Sequence, residues 1–113
     1  MKKNDVQLIS EVKLWLDEHI YEHNSVQDIC RKFTINREKL QTGFRELFGS
    51  TVHAYIINQR IAKAAHRLLN SDDSIKAVAL DSGYKKQRSF NKTFKSIYNK
   101  TPAAYRKLNK HPL

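Results

Sequence analysis

Apolar residues recur along this chain at intervals of three and four, and strict alternation of apolar and polar positions is absent, a pattern that predicts helices throughout. Val6, Ile9, Val12, Leu16 and Ile20, with Trp15 beside them, give a first helix ending near 21–24. Ser25 caps a short second helix, and Asp28 three residues on completes a capping box; Val26, Ile29 and Cys30 are its buried stripe. A turn over 33–35 follows. Asn36 is placed to cap a third helix over 37–48 with Leu40, Phe44 and Leu47 inward, and Gly49 ends it because glycine enters the left-handed conformation cheaply. The next helix, over 51–70, is long, roughly 30 Å at 1.5 Å per residue. The remainder reads as a helix over 74–81, a turn at Ser82-Gly83-Tyr84, a helix over 87–98 and a short last helix opened by Pro102, which suits a first helical turn.

That second half repeats the first. Ser25, Val26, Ile29 and Cys30 return 49 residues later as Ser74, Ile75, Val78 and Ala79. Leu40, Phe44, Arg45, Gly49, Thr51 and Tyr55 return as Phe90, Phe94, Lys95, Asn99, Thr101 and Tyr105, now offset by 50. Two copies of one unit, differing by one residue in or just after the turn, imply one task performed at two places. The unit itself is a short helix, a tight turn and a second helix, the helix-turn-helix plan whose second helix enters the major groove of DNA. The expected organisation is a first subdomain over 1–50, a linker helix over 51–70, a second subdomain over 71–108 and a fraying tail over 109–113. A linker of that length is expected to set two recognition helices near one turn of DNA apart, roughly 34 Å. The copies differ at the turn: Thr34 stands where the second has Gly83, and a β-branched residue is expected to avoid positive φ, giving the first turn another shape.

Charge adds a partner to this picture. The chain has 113 residues, 40% apolar and 28% charged, with a formal net charge of +10. Residues 1–50 hold 8 basic and 8 acidic side chains, and residues 51–113 hold 13 and 3, so the whole excess lies in the second half and points to an anionic partner. A lone Cys30 excludes an internal disulfide and fits a reducing compartment. No apolar run approaches the roughly 18–20 residues of a membrane span, and the polar start lacks the apolar core of a secretory signal, so a cytoplasmic protein is expected. There is no glycine-rich phosphate loop, paired-carboxylate arrangement or Ser/His/Asp order, which argues against an enzyme. His19 and His23 are four apart, but no third ligand of suitable spacing accompanies them, and neither metal nor cofactor is expected.

The stretch from Gly83 to Arg106, GYKKQRSFNKTFKSIYNKTPAAYR, resembles the signature of the AraC/XylS family of bacterial transcription regulators. It carries glycine and an aromatic residue at the turn, F-x-x-x-F-K in the helix, then T-P-x-x-Y-R. The first copy agrees through F-x-x-L-F-G, Y-I-x-x-x-R and A-x-x-L-L, so the resemblance extends from the first helix to Arg106. It implies an all-α fold of seven helices forming two helix-turn-helix units joined by the fourth, double-stranded DNA as the partner, and no cofactor. On the family pattern the base-facing positions of the second unit fall on Arg88, Ser89 and Lys92, with Lys85, Lys86 and Gln87 on phosphate near the helix start. Those of the first fall on Glu38, Gln41 and Thr42, with Arg37, Lys39 and Arg45 nearby. Arg88 and Lys92 share a helical face and suit guanine O6 and N7; Gln41 suits adenine and Glu38 the N4 amine of cytosine. The family often has arginine at the position of Thr42, and serine and tyrosine at those of Arg88 and Ser89. Arg60 matches the family's linker-helix arginine, for which an internal ion pair and a DNA contact are both open. The expectation is a monomeric, sequence-specific regulator in which the second unit anchors and the first tunes. The alternative is an interaction module that recruits RNA polymerase or another protein and touches DNA weakly.

Overall fold

A computed structural model describes residues 2–22 and 24–109. Among them are seven helices and no strand: α1 Lys3–Glu18, α2 Val26–Phe33, α3 Arg37–Phe48, α4 Val52–Asn70, α5 Ile75–Asp81, α6 Gln87–Tyr98 and α7 Pro102–Asn109. The chain divides into two compact units, Met1–Ile57 and Asn58–Leu113, with the division inside α4. That helix therefore contributes its beginning to one unit and the rest to the other. The expected tail over 109–113 begins inside α7 at Asn109, and its remainder lies outside the described residues.

Three helices close the first unit around a core of Ile9, Val12 and Leu16 from α1, Ile29 from α2 and Leu40 and Phe44 from α3, completed by Ile35 and Val52. The apolar spacing of the sequence is the cause, since each helix turns one stripe inward. Asp17, Lys13 and Tyr55 form a half-buried polar clasp: the Tyr55 hydroxyl donates to Asp17 Oδ1, Lys13 pairs with Asp17 Oδ2 at 3.1 Å, and the Lys13 ammonium stands 5.6 Å from the Tyr55 ring centre. Trp15 is enclosed by its own neighbours, stacked on His19 at 4.4 Å, edge-on to Phe33 and under Lys32. The second unit buries Ile61, Ala64, Ala65, Leu68, Val78, Ala79, Phe90 and Phe94. Arg106 ties α7 to the end of α4, donating to the carbonyls of Leu68 at 2.9 Å and Ser71 at 3.3 Å.

Two local expectations need correcting. The first helix stops at Glu18, because the His19 amide turns back to the carbonyls of Leu16 and Trp15 and the imidazole Nδ1 also lies 2.8 Å from the Trp15 oxygen. Leu47 is 36% exposed; Phe48 packs against the core beside Phe44 at 4.9 Å instead.

Candidate nucleic-acid interface

The two helix-turn-helix units are built from the same backbone bonds. In the first, the Thr34 amide donates to Arg31 and that of Ile35 to Cys30; in the second, Gly83 donates to Leu80 and Tyr84 to Ala79. These are equivalent pairs at the 49-residue offset. Thr34 accordingly takes φ 51°, ψ 52°, against the expectation that its branched side chain would exclude positive φ. The turn's bonding overrides the residue's preference, and the left-handed strain is carried by the chain. Gly83, at φ +95°, needs no side chain for a further reason: a Cβ there would lie 3.2 Å from Nη1 of Arg60. Arg60 therefore packs against the second turn.

Each turn delivers a twelve-residue helix with its apolar stripe buried and its opposite face open. On α3, Leu40, Gly43 and Phe44 are buried, whereas Arg37, Glu38, Lys39, Thr42 and Arg45 are exposed and Gln41 is half-buried. On α6, Phe90 and Phe94 are buried while Gln87, Arg88, Ser89 and Lys92 are exposed, as are Lys85 and Lys86 just before it. The expected residues are thus solvent-exposed in both units except half-buried Gln41. Their electrostatics differ. Glu38 stands among the cations of α3, and Lys39 is 4.0 Å from Asp5 of α1. From Lys85 to Lys95 there are five cations and no acid.

The helix starts differ too, in a way the sequence pattern did not bring out. Ser25 and Asp28 form the expected capping box on α2, and Ser74 caps α5 through the Ala77 amide. Asn36 caps α3 by accepting from the Lys39 amide at 2.8 Å. The residue in the equivalent place before α6 is Lys86, which makes no side-chain cap bond. The first-turn amides of α6 keep their donors for another acceptor, and the helix dipole favours an anion there. One further matched pair is present. Gln41 and Asn91, the residues following Leu40 and Phe90, each hold a side-chain oxygen sealed from solvent without a hydrogen-bond partner among the described residues.

Residues 29–108 match the helix-turn-helix domain family. Over 100 residues the chain is 30% identical to regulatory protein SoxS of Escherichia coli K12, covering 88% of this chain and 94% of that one. The chain belongs to the AraC/XylS family. As a member it is a sequence-specific DNA-binding transcription regulator. Transcriptional regulator Rob of Salmonella typhimurium is 29% identical over 88% of this chain, which spans 35% of Rob's length. Among solved structures, the DNA-binding domain of AdpA, in complex with a target DNA, superposes with a TM-score of 0.81 at 30% identity, covering 88% of this AraC-type chain and 90% of that one. Among the described residues no group of three metal-binding side chains occurs and no helix is long and apolar enough to cross a membrane. His19 stacks on Trp15 and lies 3.8 Å from Glu22; His23 lies outside the described residues.

Proposed function

We propose that this regulator docks α6 in the major groove as its anchor, through Arg88, Ser89 and Lys92, with Lys85, Lys86 and Gln87 on the flanking phosphates. The observation that carries this is the amino end of α6: an uncapped helix start behind two lysines, on a segment with five cations and no acid. The guanidinium of Arg88 can donate to both acceptor atoms of guanine, and the phosphates are met by backbone amides as well as by charge. The first unit adds selection more than affinity. Asn36 already occupies an amide of α3, Glu38 repels phosphate, and Gln41, Thr42, Lys39, Arg37 and Arg45 supply fewer charged contacts. Both units engage one operator as subdomains of a monomer, acting on DNA in the cytoplasm without catalytic chemistry of their own.

Selection of bound sequences from a random duplex library, followed by affinity measurements on the selected operator, tests the division of labour. Arg88→Ala is expected to weaken specific binding at least tenfold, the loss of about 1.4 kcal/mol from one bidentate base contact. Gln41→Ala is expected to weaken it less and to relax preference at one base pair. Equal losses in the two variants would refute the anchor.

A further inference from the structure

We infer that the outer face of α1 is an acidic docking surface for the outer face of α4 on a second copy of this chain, so that copies on neighbouring operators bind cooperatively, head to tail. This goes beyond groove docking but rests on it, since both faces must stay clear of the duplex. Ile9, Val12 and Leu16, the buried stripe of α1, recur 52 residues later as Ile61, Ala64 and Leu68, buried on α4. The two helices hold equivalent places in the two units. Glu11, Leu14 and Glu18, exposed and spaced to share one face of α1, map at the same offset onto Lys63, His66 and Asn70, all exposed on α4. Equivalent faces thus differ in charge, and α4 contains no acid at all. Among the described residues neither Glu18 nor Lys63 has an ion pair, and the Glu11 carboxylate meets only the Gln7 amide, at 3.5 Å. Leu14 stands 63% exposed between the two carboxylates, and Ala62, exposed beside Lys63, leaves room for it.

Charge complementarity selects a second copy as the occupant, because every copy carries both halves of the contact. The contact is heterologous, one face meeting a different face, so each pair keeps a free end and copies can line up along DNA. The net charge of +10 drives free copies apart, whereas phosphates neutralise that excess on the duplex. The contact therefore forms between bound copies. Within the first unit α1 packs its buried stripe on α3, which turns Glu11, Leu14 and Glu18 away from the exposed face of α3. In the second, Ile61, Ala64 and Leu68 enter the core that holds Phe90 and Phe94 of α6, and Lys63 and His66 lie on the opposite side of their helix. A few exposed ion pairs around one leucine are weak alone, and a shared duplex raises the effective concentration enough for them to count.

Two selected operators on one duplex test this, with their spacing stepped base pair by base pair through one helical turn. The quantity read is the affinity of the second copy divided by that for a single operator, which removes any change in DNA binding itself. In the wild type this ratio is expected to reach roughly fivefold at one phase of the turn. Glu11→Gln with Glu18→Gln, and separately Lys63→Glu, should return it to about one. Combining Lys63→Glu with Glu11→Lys and Glu18→Lys reverses both faces in one chain and should restore it. A wild-type ratio near one at every spacing would overturn the contact, as would cooperativity that survives in the glutamine variant. Loss in the separate variants without rescue by the combined one would overturn the pairing of α1 with α4. A wild type that binds no single operator would instead overturn the docking proposal beneath it.

Discussion

Thr34 is the residue at which the backbone and the side chain disagree most. Its φ of 51° is one that Gly83 adopts freely in the other copy, and its hydrogen bonds are the same as those of that glycine. Because Thr34 is exposed, the strain is local and is not repaid by buried contacts of its side chain. Thr34→Gly is expected to stabilise the first unit by about 1 kcal/mol, the relief of left-handed strain less the added freedom of the unfolded chain. Calorimetry should register a midpoint higher by roughly 5 °C, with DNA affinity unchanged. This residue also marks a limit of legibility. Its type argued against the conformation, and only the bonding of Ile35 to Cys30, a feature of the whole turn, decides it.

At the scale of elements, α3 and α6 were legible to the residue, because apolar spacing and a left-handed stop at Gly49 or Asn99 agree in both, with the Asn36 cap adding to α3 alone. The end of α1 was not, because it depends on one imidazole folding back on a carbonyl. The exposed face of each recognition helix followed from its buried one. The missing cap on α6 and the sealed amides did not, since both depend on where atoms fall after packing. The clasp that joins α1 to the start of α4 is likewise a packing product, and it makes the first unit sensitive to alkali. The hydrogen bond to Asp17 is the main cause holding the Lys13 pKa above its ordinary range, followed by the contact with Tyr55. Burial, then the bond to Asp17, raises that of Tyr55. Both groups are raised in the folded state, so their contribution is complete below the unfolded values of about 10 and is lost as pH rises through the folded ones. The thermal midpoint is therefore expected to be insensitive to this clasp between pH 7 and 9 and to fall above about pH 10. Tyr55→Phe should make that alkaline fall shallower; an unchanged profile would exclude the clasp as its cause.

For the molecule as a whole, charge is distributed by unit more than by fold. The two units share turn, core plan and the twelve-residue length of α3 and α6, while the net excess lies wholly in one of them. Operator affinity is expected to fall steeply with salt, in proportion to the phosphates neutralised. Replacing Lys85 and Lys86 together by glutamine should reduce the slope of log K against log salt by about 2 and leave the selected sequence unaltered, as measured by repeating the library selection. A changed consensus would mean that these lysines read bases. The duplication, the class of fold and the sign of the partner's charge could all be read from the sequence, because they are properties of pattern and sum.

The uncapped amino end of α6, docking on phosphate as proposed, is also expected to govern how the protein behaves away from its operator. Cell extracts are rich in RNA, and a helix start that docks on phosphate as proposed would accept such a chain before the right duplex. Material purified at low ionic strength is expected to carry RNA with it, visible as excess absorbance at the nucleic-acid wavelength. Its apparent operator affinity will then report an exchange between ligands. A wash in concentrated salt before the final column removes the passenger and restores the intrinsic value.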